Sequence, residues 1–390
     1  NISITATALT GYGIYINGGG LVAGNDATTP TAGGSISINA TSGGNHIAGA
    51  GLRLDTNSTK IIAYGDITIY ANGAAAGLNT ANQNGEGVIL WGQSQTIRSY
   101  NGNLTITGYA NHTVVSGSGF SDLGGGVTLY DDSDVLRAKG YVTLNGINMS
   151  GSGLYLTIYN TGSGGGVTSD TGNIVMNGMS GGATYSGIYI RLPVTATLGT
   201  VTISAASSGT DGAYRQDSGY SGSISAYGDV NVIGYSTGGS GIYLTNGSVT
   251  SSNGNIFLSG TTSIATSTYY GIYSSSINAN ASNGSVSFQG AKLDTATTLV
   301  NAAGNASAGL PSPYYAISDS ANMASANTTG VSWTGNVTAN TATGYISINS
   351  KAPSITGILT SYGLALIGNN QSYTLNNASN NFKALAANIG

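Results

Sequence analysis

The chain has 390 residues, of which only 6% are charged, whereas 40% are hydrophobic and 63 are glycine. Soluble globular domains carry charge on about 25% of their residues, so the composition argues against an ordinary enzyme surface, and the hydrophobic content argues against disorder. A net charge of −4 with only 10 Lys and Arg residues provides no basic field, so we expect no nucleic-acid partner.

The predicted elements are short strands that recur from the N-terminus onward. In a first pattern, Gly and a second residue precede an apolar, variable, apolar triplet. Copies occupy residues 34–38, 65–69, 102–106, 140–144, 172–176, 199–203, 228–232, 254–258, 284–288 and 344–348. Alternation with period two is typical of a strand that buries one face.

A second pattern lies between these copies, with Gly directly before another such triplet. It occurs at residues 13–16, 51–54, 87–90, 126–129, 153–156, 187–190, 241–244 and, in weaker form, 271–273. We expect each Gly to form a corner with backbone angles at which a Cβ would clash. The two patterns together predict a strand, corner, strand rhythm.

The repeat predicts an all-β parallel β-helix, because one coil cannot bury its apolar face unless other coils stack on it. Copies of the first pattern up to residue 284 lie 26 to 38 residues apart, so we interpret each interval as one to two coils with irregular loop insertions. We expect regular coils over residues 1–290 and further coils over 341–390. Residues 291–340, which include Pro311 and Pro313, are predicted to be an irregular excursion or distorted coils within one continuous solenoid.

The motifs at residues 102–108 and 65–69, in a cysteine-free background rich in Gly, Asn, Ser and Thr, resemble the repeats of filamentous-haemagglutinin-like exoproteins of Gram-negative bacteria. The resemblance covers most of residues 1–290 and resumes near residue 344. It implies a right-handed β-helix, export through an outer-membrane transporter by two-partner secretion, and a secreted or cell-surface adhesin or fibre. Such a protein would contact a host or neighbouring-cell surface, including its glycans, and could self-associate into fibres.

Charged and metal-binding residue types are sparse. The densest cluster, Asp131-Asp132-Ser133-Asp134 with Arg137 and Lys139, is interpreted as a solvated turn rather than a cation or substrate site. We interpret Asp66 and Asp229, each of which follows a Gly, as corner residues rather than ligands.

The remaining candidates also favour structural roles. His46 and His112 are the only histidines and are interpreted as surface residues rather than zinc ligands. The glycine runs 18–20 and 164–166 lack a following Lys-Ser/Thr, so we interpret them as loops rather than phosphate cradles. We therefore expect no cofactor, no metal site, no catalytic residue and no enzymatic activity.

Tyrosine is the most suggestive residue type, with 25 copies. The middle position of the second pattern is tyrosine in five copies, which are Tyr15, Tyr155, Tyr189, Tyr243 and Tyr273. These side chains are predicted to point outward and to form a ladder that holds sugar rings or a neighbouring fibre. The interpretation that we favour is that the rings cover the corner or pair between coils for stability, and ligand binding is the alternative.

The function that these patterns favour is a structural or adhesive rod. One alternative is a carbohydrate-active β-helix enzyme of the lyase or tailspike type, which needs clustered carboxylates on an exposed face. A second alternative is an ice-binding solenoid, because Thr68, Thr105, Thr143 and Thr202 share one register, although other residue types interrupt the series.

Overall fold

A computed structural model describes residues 1–43, 49–73, 85–111, 125–131, 133–157, 164–217, 222–263 and 269–290, and shorter stretches after them. The shorter stretches are residues 293–296, 299–302, 306–307, 317–319, 331–339, 341–342, 345–349, 354–367 and 372–388. All regular elements in these ranges are strands. No helix long and apolar enough to span a membrane occurs in them.

Each coil contributes strands to three faces of the solenoid. The first face is a continuous parallel sheet, and ten of its fifteen described strands carry the first sequence pattern. Its strands are Ile2–Ala8, Ile36–Ser42, Ile67–Gly73, Leu104–Ala110, Val142–Asn148, Ile174–Ser180, Val201–Ser207, Val230–Ser236, Ile256–Thr262, Val286–Gly290, Ala306–Ser307, Ile317–Asp319, Tyr345–Asn349, Gly363–Ile367 and Ala384–Asn388.

The second and third faces are formed by shorter parallel strands. Those of the second face are Ile14–Asn17, Leu52–Asp55, Val88–Trp91, Gly125–Leu129, Ser152–Leu156, Ile188–Ile190, Tyr214–Gln216, Leu293–Ala296, Val331–Trp333, Ser354–Ile355 and Thr374–Leu375. Those of the third face are Gly20–Ala23, Lys60–Ala63, Thr96–Ser99, Val135–Ala138, Gly166–Ser169, Val194–Ala196, Ser223–Ala226, Leu299–Ala302, Val337–Thr338 and Leu359–Thr360. Ile242–Ser251 and Ile272–Ala281 are long strands that serve both faces.

The pairing confirms the predicted parallel β-helix and corrects the length of its coil. Strand Leu104–Ala110 pairs in parallel with Ile67–Gly73 on one side and with Val142–Asn148 on the other. Each interval between copies of the first pattern up to residue 284 is therefore one coil, not up to two. The third-face strands account for the extra length, because stretches such as Lys60–Ala63 and Thr96–Ser99 lie outside both sequence patterns.

Inward aliphatic side chains form one hydrophobic column through the stacked coils. Leu104, Ile106, Leu129, Leu136 and Val142 all have 0% relative exposure and belong to one cluster that extends along the described coils. Each buried Val, Leu or Ile side chain contributes about 1.5–3 kcal/mol relative to its exposed state. Because each side chain packs between its counterparts in the coils above and below, burial in one coil depends on its neighbours.

Polar side chains connect successive coils at the corner before each first-face strand. The Asp66 carboxylate accepts hydrogen bonds from the backbone N–H and the side-chain amide of Asn103, at 2.7 and 3.2 Å. The side-chain carbonyl of Asn103 in turn accepts from the backbone N–H of Tyr141 at 2.8 Å. Asp229 accepts from Asn255 in the same way. The interpretation of Asp66 and Asp229 as corner residues is confirmed.

The glycines of the second pattern have a different role from the one expected. Neither Gly87 nor Gly126 has a φ in the left-handed region. A Cβ on Gly87 would lie 2.4 Å from the Gly126 carbonyl oxygen and 2.5 Å from the Tyr109 nitrogen. Glycine is required at these positions because the backbones of the first and second faces approach so closely that they leave no room for a side chain.

Beyond residue 290 the described strands continue the same faces. Tyr345–Asn349 pairs with Gly363–Ile367, and this strand pairs with Ala384–Asn388, all in parallel. Trp333 is fully buried and meets the Phe288 ring edge-on at 5.2 Å, which joins this part to the regular coils. Pro311 and Pro313 lie outside the described residues, and the division at residues 291–340 stays a prediction.

We expect Gly126→Ala to lower the free energy of unfolding by about 3 kcal/mol or more, because overpacking against backbone cannot be relieved by side-chain rotation. The added Cβ would lie 2.4 Å from the Ile147 nitrogen. Gly222→Ala is the matched control, since its Cβ would meet nothing closer than 3.4 Å. Thermal unfolding followed by circular dichroism measures both, and equal melting temperatures would contradict the close-approach account.

Candidate functional site

Aromatic and arginine side chains line up on the second face over five consecutive coils. The backbone register places Tyr155 next to Tyr189, Tyr189 next to Arg215, Arg215 next to Tyr243, and Tyr243 next to Tyr273. We name this set the tyrosine–arginine column. Four of the five tyrosines singled out from the sequence therefore lie together, with an arginine between the two pairs.

Tyr15 lies in the same register line but apart from the column. Its neighbour in the next coil is Arg53, and the following positions are Ile89 and Thr128, which are fully buried and interrupt the aromatic series. The prediction of one outward ladder of five tyrosines is thus corrected in two respects. The series is interrupted, and Tyr189 is only 8% exposed because neighbouring side chains cover it.

Rings in the column contact one another directly. The Tyr243 and Tyr273 rings are stacked with centroids 4.7 Å apart, and those of Tyr155 and Tyr189 are tilted at 5.3 Å. These distances match the spacing of about 4.8 Å between parallel strands. Each pair therefore adds stability to adjacent coils, about 0.5–1.5 kcal/mol beyond area burial.

Arg215 joins the two tyrosine pairs. Its guanidinium carbon lies 5.2 Å from the centre of the Tyr189 ring and 5.6 Å from that of Tyr243, within cation–π range. The same guanidinium forms ion pairs with Asp211 at 3.0 Å and Asp217 at 3.4 Å. Burial lowers the pKa of Arg215, but the charge of Asp211 and the neighbouring tyrosine and aspartate groups raise this pKa by more. The pKa of Arg215 therefore lies above its ordinary value.

Asp217 is the polar centre of the site. Its carboxylate accepts hydrogen bonds from the Tyr189 hydroxyl at 3.3 Å and from the Thr245 hydroxyl at 3.1 Å. It also forms an ion pair with Arg191 at 3.3 Å. Burial is the main cause that raises the pKa of Tyr189, so this hydroxyl remains a neutral donor across the physiological pH range.

Two recesses flank Arg215 along the solenoid axis. The first, of about 290 Å³, is lined by Tyr155, Tyr185, Tyr189, Arg191 and two serines. The second, of about 330 Å³, is lined by Tyr243, Tyr269, Tyr270, Tyr273 and the hydroxyl residues Thr210 and Ser240. Arg215 and Asp211 line both, so their ion pair forms the wall between the recesses.

The charges of the site balance internally. Arg191 and Arg215 are compensated by Asp211 and Asp217, so the recesses present rings and hydroxyls with no net charge. The Nε atoms of Arg191 and Arg215 are buried and have no hydrogen-bond partner among the described residues.

A Tyr/Arg-x-Asp unit occurs twice, and the sequence patterns missed it. In both copies a tyrosine hydroxyl donates a hydrogen bond to an aspartate of the next coil, and this aspartate forms an ion pair with the arginine two residues before it. The first copy comprises Tyr15, Arg53 and Asp55, and the second comprises Tyr189, Arg215 and Asp217. The second copy was not recognised in the sequence because Ala213 replaces the Gly of the second pattern, and Tyr214 and Gln216 replace its two aliphatic residues. Aligning Arg53-Leu54-Asp55 with Arg215-Gln216-Asp217 could have revealed it.

The acidic cluster near residue 131 is a turn, but it is not solvated as expected. Asp131 and Asp134 are 4% and 0% exposed, and Asp132 lies outside the described residues. The Asp134 carboxylate accepts from the backbone N–H groups of Gln95 and Asp131 at 3.0 and 3.2 Å. The carboxylates of Asp131 and Asp134 turn inward to satisfy backbone donors, which explains their burial.

The other candidates for ion binding give no site. His46 and His112 lie outside the described residues. No group of three His, Asp or Glu residues in the described part of the chain is arranged to hold a metal ion. Gly18, Gly19 and Gly20 all have positive φ and form a turn between second-face and third-face strands.

No family model, curated protein or solved structure matches this chain. The fold and the site geometry therefore define its class, a parallel β-helix with a tyrosine–arginine column on one face. The resemblance to filamentous-haemagglutinin-like exoproteins stays a prediction.

Asp134 generates a testable pH dependence. Burial raises its pKa to about 8 from an ordinary value of 3.8. Between these values the folded protein retains a proton that the unfolded chain releases, so the contribution of Asp134 to stability is complete below about pH 4 and is lost as the pH rises to about 8. Asp134→Asn keeps an acceptor oxygen and cannot titrate.

We therefore expect the melting temperature of Asp134→Asn, relative to the unsubstituted chain, to rise steadily across that pH window. Differential scanning calorimetry at several pH values measures the difference. A melting-temperature difference that does not change with pH would show that Asp134 has the same pKa in the folded and the unfolded state.

Proposed function

We propose that this chain is the rod of a secreted or cell-surface bacterial adhesin or extracellular fibre, and that the tyrosine–arginine column holds an uncharged glycan of a host or neighbouring cell. The proposal is supported most directly by the two recesses that share the Arg215–Asp211 wall. A stacked solenoid suits such a role, because each added coil extends the rod without altering the faces already built.

The recesses favour sugar over other ligand classes. Tyrosine rings offer apolar surface with a hydroxyl at the rim, and tyrosine and arginine dominate the energetics of binding surfaces. Ser152, Ser186, Thr210 and Ser240 add hydroxyl groups to the walls. Because Arg191 and Arg215 are already neutralised by aspartates, an anionic ligand has no unpaired cation to meet.

The size and spacing of the recesses favour consecutive units of a polymer. Volumes of about 290 and 330 Å³ lie at the low end of small-molecule pockets, which is suited to single sugar units rather than a large compact ligand. The recesses follow the solenoid axis on either side of one ion pair. A linear glycan would therefore lie along the rod and cross Arg215.

Binding to immobilised uncharged oligosaccharides of glucose, galactose, mannose and N-acetylglucosamine tests the proposal, with sialylated and sulfated oligosaccharides in parallel. We expect binding to members of the uncharged set and a loss of about 10-fold or more in Arg215→Ala, since this residue lines both recesses.

Tyr141→Ala is the matched control, because Tyr141 is 55% exposed and lies at a corner away from the column. Binding confined to acidic oligosaccharides, or equal losses in both variants, would contradict the assignment. Shortening of the oligosaccharides during incubation would instead support the lyase or tailspike alternative.

A further inference from the structure

The outer side of the first face lacks charged side chains over its entire regular part. The second and fourth residues of each strand from Ile2–Ala8 to Val286–Gly290, and the sixth residue of each strand up to Ile256–Thr262, point outward, and none of them is Asp, Glu, Lys or Arg. We name this surface the uncharged face. Soluble domains carry charge on about 25% of their residues overall, and this chain carries it on 6%.

The centre of the uncharged face is apolar. Tyr70, Met179, Ile233 and Tyr235 are 41%, 44%, 45% and 49% exposed, and Ile147 lies half-buried among them. A shallow groove of about 460 Å³ follows this region, with Ile147, Met179 and Ile233 among its lining. Contiguous exposed apolar surface with a polar surround is typical of a protein interface.

The area of the face is sufficient for a stable association. Ten strands spaced about 4.8 Å apart extend roughly 43 Å, and seven residues of about 3.3 Å each extend roughly 23 Å. The product approaches 1,000 Å², against about 800 Å² per partner in an interface of standard size. An exposed sheet also permits aligned packing of a second sheet at about 10 Å.

A two-fold axis through the centre of the face brings its apolar residues together. Consider a two-fold axis that runs along the strands between Val142–Asn148 and Ile174–Ser180. It places the sixth-position Ile147 of one copy opposite Met179 of the other, and Tyr109 opposite Ala206. In the fourth-position line it places Asn145 opposite Asn177, Thr107 opposite Ser204, and Tyr70 opposite Ile233. Polar residues meet polar ones at Asn145 with Asn177 and at Thr107 with Ser204, whereas Asn72 lies opposite Tyr235 and Thr143 opposite Val175.

We propose that two copies of this chain associate through the uncharged face, in antiparallel orientation, about the axis between Ile147 and Met179. A second copy fits better than a charged partner, because the face offers such a partner no ion pair. An isologous contact uses one patch twice, and the apolar patch around Ile147 and Met179 would pack against its own counterpart. The tyrosine–arginine column lies on the second face, so this inference does not depend on glycan binding.

Sedimentation velocity of the complete chain tests the association. We expect a species of twice the chain mass of 38.7 kDa. Met179→Lys would place like charges on both sides of the axis and weaken the association by about 10-fold or more. Met149→Lys is the matched control, because Met149 is 59% exposed and follows the first-face strand that ends at Asn148.

The melting temperature of each variant establishes that it is folded, and Ile233→Lys replaces Met179→Lys if that variant unfolds. A monomeric unsubstituted chain, a Met179→Lys dimer of unchanged affinity, or equal weakening by Met149→Lys would overturn the proposal.

Cross-linking tests the orientation, since the chain has no cysteine of its own. The axis places Thr41 in the second strand of the face opposite Thr261 in the ninth. With a thiol cross-linker that spans about 10 Å, the sheet separation, mixed Thr41→Cys and Thr261→Cys chains are expected to join to each other and not to themselves. Self-linking of each variant alone, or no link between the mixed variants, would overturn the antiparallel arrangement.

Discussion

The structure depends on in-register stacking of identical positions in successive coils. Aliphatic side chains such as Leu104 and Val142 pack directly on one another, because the strands that carry them pair residue by residue. A slip of one residue would turn every inward side chain outward, so register and burial enforce each other. The outer surface inherits the same regularity, and equivalent outward positions form columns.

These columns explain how a sequence with little charge can still carry distinct surfaces. On the second face, the register brings Tyr189, Arg215 and Tyr243 into contact although they are 26 to 28 residues apart in the chain. On the first face, the same register collects uncharged residues on one side of a continuous parallel sheet. The charged residues at the site, such as Asp217, are used in internal ion pairs, which leaves rings and hydroxyls for a ligand.

Much of the fold could be predicted because period-two alternation and a repeated Gly mark the strands locally. The third-face strands were missed because stretches of about four residues show too little alternation to stand out. The role of Gly126 was misjudged, since the approach of two backbones is a tertiary property that sequence spacing does not reveal. The turn at Asp134 was expected, but its burial follows from donors in the preceding coil, including the Gln95 backbone N–H.

The candidate site was predictable only in part. The shared triplet position identified Tyr155, Tyr189, Tyr243 and Tyr273, because register follows from the repeat. Arg215 was missed, since its coil departs from the pattern at the flanking positions. The importance of Asp217 could not be inferred from local pattern, because its partners Tyr189, Arg191 and Thr245 lie in other parts of the chain.

Disulfide trapping in this cysteine-free chain tests the central claim of in-register parallel stacking most directly. Thr105 pairs with Thr143 in the next coil, and their Cα spacing of about 4.8 Å suits a disulfide. We predict that a Thr105→Cys, Thr143→Cys chain closes this bond on mild oxidation, as seen by mass spectrometry of peptides. The staggered pair Thr105→Cys with Asn145→Cys, about 8 Å apart, should remain reduced. Closure of the staggered pair in preference to the registered one would contradict the stacking on which the fold, the column and the uncharged face depend.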